Sequence, residues 1–168
     1  MNSPIVTSRV DLARSLIAAA VKSGAPKPDI STVEAFKRAL ANAKSIAYSD
    51  SASGVYIQNV LFDRLGISKE IRTKSRMIPA EPVGEVVARG EAELGFQQLS
   101  ELMTVKGIDL LGPIPADIQK VTMFSAGIAV AAKEPKAGEA LIRFLSAKSA
   151  APAIRKSGMD PVVTASTN

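Results

Sequence analysis

The sequence predicts an α/β fold in which a largely parallel sheet is flanked by helices. Two observations carry this. Short apolar runs of strand length alternate with segments whose apolar residues recur at helical spacing. The apolar residues are also mostly Ala, Val, Ile and Leu: 46% of the 168 residues are hydrophobic, only 4% are aromatic, and Trp is absent. Such a composition suits strands buried on both faces by helices. The chain is long enough for one compact domain, or for one full lobe plus part of another.

The elements follow in order. Ser15–Val21 is apolar and closed early by Gly24 and Pro26, so it reads as a short buried strand. Ser31 or Thr32 caps a helix that carries Val33, Phe36, Ala39 and Leu40 on one face. Ser45–Tyr48 is a strand. The small polar turn Ser49–Gly54 leads from it into a helix with Val55, Ile57, Val60, Leu61 and Leu65 apolar and Gly66 at its end. Ser68–Arg76 reads as helical, and Pro82–Arg89 as a short helix. Leu94–Phe96 is a strand, followed by a loop or helix start over Gln97–Leu102. Ile108–Leu111 is a strand ended by Gly112-Pro113. Met123–Ala132 is a long apolar segment, read as a buried strand. Pro135 opens a helix with Ala140, Leu141, Phe144 and Leu145 on one face. Ser149–Lys156 is the last helix, and Thr164–Asn168 a frayed tail.

Several chemistries are excluded. With no Cys and no His, thiol chemistry, disulfides, ordinary zinc sites and His-based acid–base catalysis are removed. No nucleophile–base pair can be assembled, so no catalytic residue, metal or cofactor is expected. The net charge of +5 is dispersed, and no aromatic sits in a basic stretch, so nucleic acid is not an expected partner. Met1–Arg9 is polar and Leu16–Val21 is too short for a signal-peptide core. On that reading the chain stays where it is made, cytoplasmic if it is the full product.

The Ser49–Gly54 turn has the parts of an anion site. It precedes a helix, whose first N–H groups and dipole favour negative charge. Ser51 and Ser53 add hydroxyl donors, and Gly54 would let a ligand approach the backbone. The same residues also read as ordinary helix caps. The glycine spacing of phosphate-binding and dinucleotide-binding loops is missing. A second candidate is Gln97-Gln98-Leu99-Ser100, which follows a strand; it also reads as a surface loop with a cap at Ser100. Glu91 and Glu93 read as a solvated pair.

The run Ser45-Ile46-Ala47-Tyr48-Ser49-Asp50-Ser51-Ala52-Ser53-Gly54, followed by Leu61-Phe62-Asp63-Arg64-Leu65-Gly66-Ile67, resembles the second lobe of molybdate-type periplasmic solute-binding proteins. So do Val83–Gln98, Gly112-Pro113-Ile114-Pro115, Phe124–Ile128, Ala140–Leu145 and Ile154–Pro161, giving a resemblance from about Ser8 to Pro161. It implies a type II periplasmic-binding-protein fold, N-terminally truncated, with one complete lobe and part of the other. The divisions it implies are a crossover or hinge over 1–20, the second lobe with an anion half-site over 21–112, and a return segment over 113–168. It also implies a periplasmic component of an ABC importer that holds a small oxyanion. Ser51, Ala52, Ser53 and Gly54 would supply ligand contacts, with Tyr56, Gln97, Gln98 and Ser100 as further contributors. An ABC permease would be the partner. Apolar surface left by the missing first lobe would drive homo-oligomerisation or domain swapping. The alternative is a cytosolic sensing or oligomerisation module of the same fold.

Overall fold

The structure, a computed structural model, describes residues 6–162. The expected tail over Thr164–Asn168 lies outside them, as do residues 1–5. The chain divides into two compact units: residues 16–122, and residues 1–15 together with 123–168.

The first of these units is a five-stranded sheet between two layers of helices. Its elements are β2 (Ile17–Lys22), α1 (Val33–Asn42), β3 (Ile46–Ser49), α2 (Ala52–Tyr56), α3 (Phe62–Arg64), α4 (Ser68–Arg72), β4 (Ser75–Ile78), α5 (Val83–Ala88), β5 (Leu94–Gln98), α6 (Leu99–Leu102) and β6 (Ile108–Pro113). A π-helical turn, Ile57–Leu61, joins α2 to α3. The strand order is β4-β3-β5-β2-β6. β3 is parallel to β4 and β5, while β2 is antiparallel to β5 and β6. Four strands therefore run one way and β2 alone runs against them, as a largely parallel sheet requires. The sequence divisions at 20/21 and 112/113 fall within this unit, because β2 and β6 hydrogen-bond into the same sheet.

Side-chain alternation along the strands feeds two cores. Tyr48, Phe96 and Ile17 pack with Phe36, Leu40, Leu61 and Phe62 on one face. Ala47 packs with Val83, Val86 and Val87 of α5 on the other. The few aromatics are concentrated in the first core as edge-to-face pairs, Phe36–Phe96 at 5.6 Å and Tyr48–Phe62 at 5.9 Å. Thr32 caps α1 as expected, its hydroxyl accepting from the Ala35 N–H at 3.1 Å. Ser68–Arg76 departs from its helical reading: only one turn forms before β4 begins, and β4 is a sheet edge whose Arg76 and Met77 stay exposed, which hides the strand pattern.

The second unit holds β1 (Val6–Ser15), β7 (Thr122–Ala129), α7 (Pro135–Ser146), α8 (Ala151–Lys156) and β8 (Asp160–Pro161). The strands form a sheet in the order β7-β1-β8, with Ala13 opposite Pro161. β1 falls in the stretch over 1–20 that the resemblance implies as a crossover or hinge. β7 is a strand as read, but not a buried one: Met123 and Phe124 are exposed, and Val130 just past it is 64% exposed. α7 has no buried residue, and its apolar face presents Leu141 at 57% and Phe144 at 64% exposure. Three strands and two helices give that apolar pattern too little to pack against.

Two glycines set how closely helices approach the sheet of the first unit. A Cβ at Gly54 would lie 1.6 Å from the Ser49 carbonyl oxygen, and one at Gly95 would lie 2.4 Å from Cγ2 of Val87. Gly54→Ala is expected to cost about 3 kcal/mol or more, because its obstacle is backbone. Gly95→Ala should cost less, about 1–3 kcal/mol, because the valine can shift. Denaturant unfolding of both variants checks this order; equal, small losses would contradict it.

Candidate functional site

The carboxyl ends of β3, β4 and β5 lie at one edge of the five-stranded sheet, since the three strands are parallel neighbours. In open α/β sheets this is the edge at which ligands bind. The turn after β3 brings three hydroxyls together there. Ser49 Oγ is 2.8 Å from Ser51 Oγ and 3.0 Å from Ser53 Oγ, and Ser51 and Ser53 are 3.4 Å apart. Ser51 occupies the N-cap position of α2, yet its side chain makes no capping hydrogen bond. Its hydroxyl turns to Ser49 instead. The N–H groups of the first helical turn have no acceptor within the helix.

The three serines differ in access. Ser51 and Ala52 are exposed, whereas Ser49, Ser53 and Gly54 are buried, Ser53 completely. Ser51 and Ala52 thus form the solvent-facing side of the turn, and Ser53 bonds to Ser49 from behind. Gly54 has a packing reason beside the expected one: it lets the helix start press against the Ser49 carbonyl.

The other sequence-selected residues hold the edge together. The Tyr56 hydroxyl donates to the Ile118 carbonyl at 2.9 Å. Gln97 Oε1 accepts from the Val83 N–H at 2.8 Å and so caps the start of α5 in the interior. Gln98 Nε2 donates to Thr122 Oγ1 at 2.8 Å, and Gln98 is only 3% exposed. Its Oε1 has no partner among the described residues. Ser100 is half-buried inside α6, whose cap position is Gln98, so Ser100 is not the cap. The two glutamines stand on a strand, not in a surface loop. Glu91 and Glu93 are ion-paired: hydrogen bonds from Arg89 hold the Glu91 carboxyl below its usual range, and Glu93 Oε2 accepts from the Lys44 N–H.

Sequence reasoning missed two parts. Gln119 clamps the start of β2, accepting from the Ile17 N–H at 2.9 Å and donating to the Ile17 and Ile114 carbonyls. Its lone amide in a polar stretch carries no signal. Ala80, in the loop after β4, has φ 63°, the one positive φ outside glycine among the described residues. That backbone costs an alanine roughly 1–2 kcal/mol, and nothing in the side chain advertises it. Among the described residues no group of acidic side chains could hold a metal ion, and no helix is long and apolar enough to cross a membrane.

The family of bacterial extracellular solute-binding proteins matches residues 2–160. The chain belongs to this family. A relative from Pseudomonas sp. named aconitate isomerase is 57% identical over 155 residues, covering 92% of this chain. The chain spans 59% of that relative's length. Among solved structures, the periplasmic molybdate-binding protein of Azotobacter vinelandii superposes with a TM-score of 0.65 at 20% identity, over 96% of this chain and 71% of the other. L-phospholactate-bound PEB3 of Campylobacter jejuni gives 0.68 at 15% identity, over 90% and 68%. These place the fold of this solute-binding protein with type II periplasmic-binding-protein-like domains.

A structural role for Gln97 is separable from a ligand role. Gln97→Leu removes the cap and leaves a buried N–H unpaired, so it should cost about 1–3 kcal/mol of stability. Thermal unfolding with no added ligand reads this; an unchanged midpoint would return Gln97 to the ligand shell.

Proposed function

We propose that this solute-binding protein supplies one lobe of a small-anion site, and that its ligand is a polycarboxylate of the aconitate type. The supporting observation is the serine triangle at the start of α2, with Ser51 exposed at the carboxyl edge of the sheet. Hydroxyls and helix-start N–H groups are neutral donors, which bind an anion without requiring a cation beside it. They suit molybdate, sulfate or a carboxylate alike. The name of the 57% identical relative favours the carboxylate over the molybdate that motif resemblance suggests. In this reading Ser51 and the Ala52 N–H touch the ligand, with Ser53, Gly54, Tyr56, Gln97, Gln98 and Ser100 building the edge behind them. Residues 16–122 are the ligand-holding lobe. Delivery to an ABC permease outside the cytoplasm is the accompanying role.

That relative's name also favours a second reading, isomerisation of the bound acid. Serine hydroxyls bonded to one another are not bases at neutral pH, so a proton acceptor for that step would come from outside the triangle.

A thermal-shift screen with millimolar trans-aconitate, cis-aconitate, citrate, molybdate and sulfate tests the ligand class, since a ligand that binds the folded state raises its stability. Aconitate should shift the midpoint more than molybdate. Ser51→Ala should weaken the effect roughly tenfold or more. A shift with molybdate alone would overturn the carboxylate assignment, and no shift with any anion would overturn anion binding by this chain. Following the vinyl proton of cis-aconitate by NMR separates binding from isomerisation.

The exposed Phe124, Val130, Leu141 and Phe144 support self-association through the smaller unit. Light scattering should give at least a dimer; a monomer on dilution would rule this out.

A further inference from the structure

One cavity in the larger unit lies away from the serine edge. It lies at the opposite edge of the same sheet, where β2 ends and β5 begins, with a volume of about 480 Å³. Five residues of β5 separate the two edges, or about 16 Å of extended chain. Its position does not depend on the anion reading above. Volumes of this size hold small organic molecules.

The chemistry of the lining is uneven. Val21, Ala39, Ala92 and Leu94, all buried, supply an apolar floor. The rim carries Lys22, Lys27, Asn42 and Glu93. Two of these charges are already answered. Lys27 Nζ is 3.1 Å from Asp109 Oδ2. Hydrogen bonds from Ser23, then Lys27 and the Gly24 N–H, hold the Asp109 carboxyl below its usual range, so it is ionised at neutral pH and pairs with Lys27. Glu93 faces Lys44, accepting from its N–H at 2.7 Å with Nζ at 3.8 Å. Lys22 has no ion-pair partner among the described residues. It lies against Gly90, where an added Cβ would sit 3.4 Å from its Nζ. Gly90 has φ +79° and also lines the cavity, so the turn keeps this space open beside the ammonium.

We propose that this cavity is a second binding site, for a small monoanion with an apolar body. One unanswered cation over an apolar floor matches a single acidic group on a hydrocarbon or aromatic frame. A tricarboxylate would bring further charges that the floor cannot satisfy, and burying them unpaired is costly. The ligand class thus differs from that proposed for the serine edge.

Titration of the ¹⁵N-labelled chain with sodium hexanoate, and separately with hexanamide, tests this by NMR. Hexanoate should move the amide signals of Lys22, Ala43, Gly90 and Leu94 saturably and leave those of Ser51–Ser53 in place. Because an exposed ion pair is weak, hexanoate should bind about two- to fivefold more tightly than hexanamide. Lys22→Gln should abolish that preference, and Asn42→Trp, which fills the mouth, should abolish both titrations. No saturable change up to roughly 20 mM hexanoate, or saturable changes confined to other residues, would overturn the site. A preference retained in Lys22→Gln would overturn the role of Lys22. The charged and neutral ligands compared on the unaltered chain decide the question even where a variant does not fold.

Discussion

A missing methyl group governs the geometry of the serine edge. Gly54 lies so close to the Ser49 carbonyl that no other residue fits there. That approach sets the first turn of α2 directly onto the end of β3. Ser53 then lies one helical step from the strand and can reach back to Ser49, while Ser51 bridges the gap. If the helix start were moved outward by the width of a side chain, the three hydroxyls would no longer meet. The anion chemistry proposed here is therefore a result of backbone packing before it is a result of side-chain identity.

The polar residues around that edge divide by task. Gln97 and Tyr56 spend their hydrogen bonds on the protein itself, one on the start of α5 and one on the Ile118 carbonyl. Arg64 adds a further bond to the Asp117 carbonyl at 2.8 Å, so the segment after β6 is tied down from two helical positions. Buried polar groups fixed in this way specify one arrangement of loops, because each unmade bond is costly. In the proposed reading, the outer surface of the turn is what meets the ligand, so recognition would be carried by few groups whose placement is enforced by many.

Most of the larger unit was legible in the sequence. The spacing of Phe36, Ala39 and Leu40 and the cap at Thr32 mark α1, and the alternation of apolar runs with helices marks the strands β2, β3 and β5. Those signals are strong because both faces of the sheet are covered. The start of β4, Ser75 and Arg76, falls in the helical reading because an edge strand keeps polar residues such as Arg76 on show. The smaller unit misled for the opposite reason. Phe124, Leu141 and Phe144 carry the pattern of a core without its burial. At the site, the Ser-x-Ser-x-Ser spacing was visible, but which serine is enclosed depends on the approach of α2 to β3. The roles of Gln97 and Tyr56 depend on partners far along the chain, which no local pattern records.

β2 is the only strand of its sheet that runs against the others, and both of its neighbours are made much later. Ala18 is paired with Gln97 on one side and with Pro113 on the other. In the smaller unit, Ala13 waits likewise for Pro161. Closing such long loops is entropically slow, and it delays the contacts that would reward it. During synthesis on the ribosome, the strongly apolar Ile17–Val21 segment therefore leaves the exit tunnel with no native partner. It needs shelter until most of the chain has followed it.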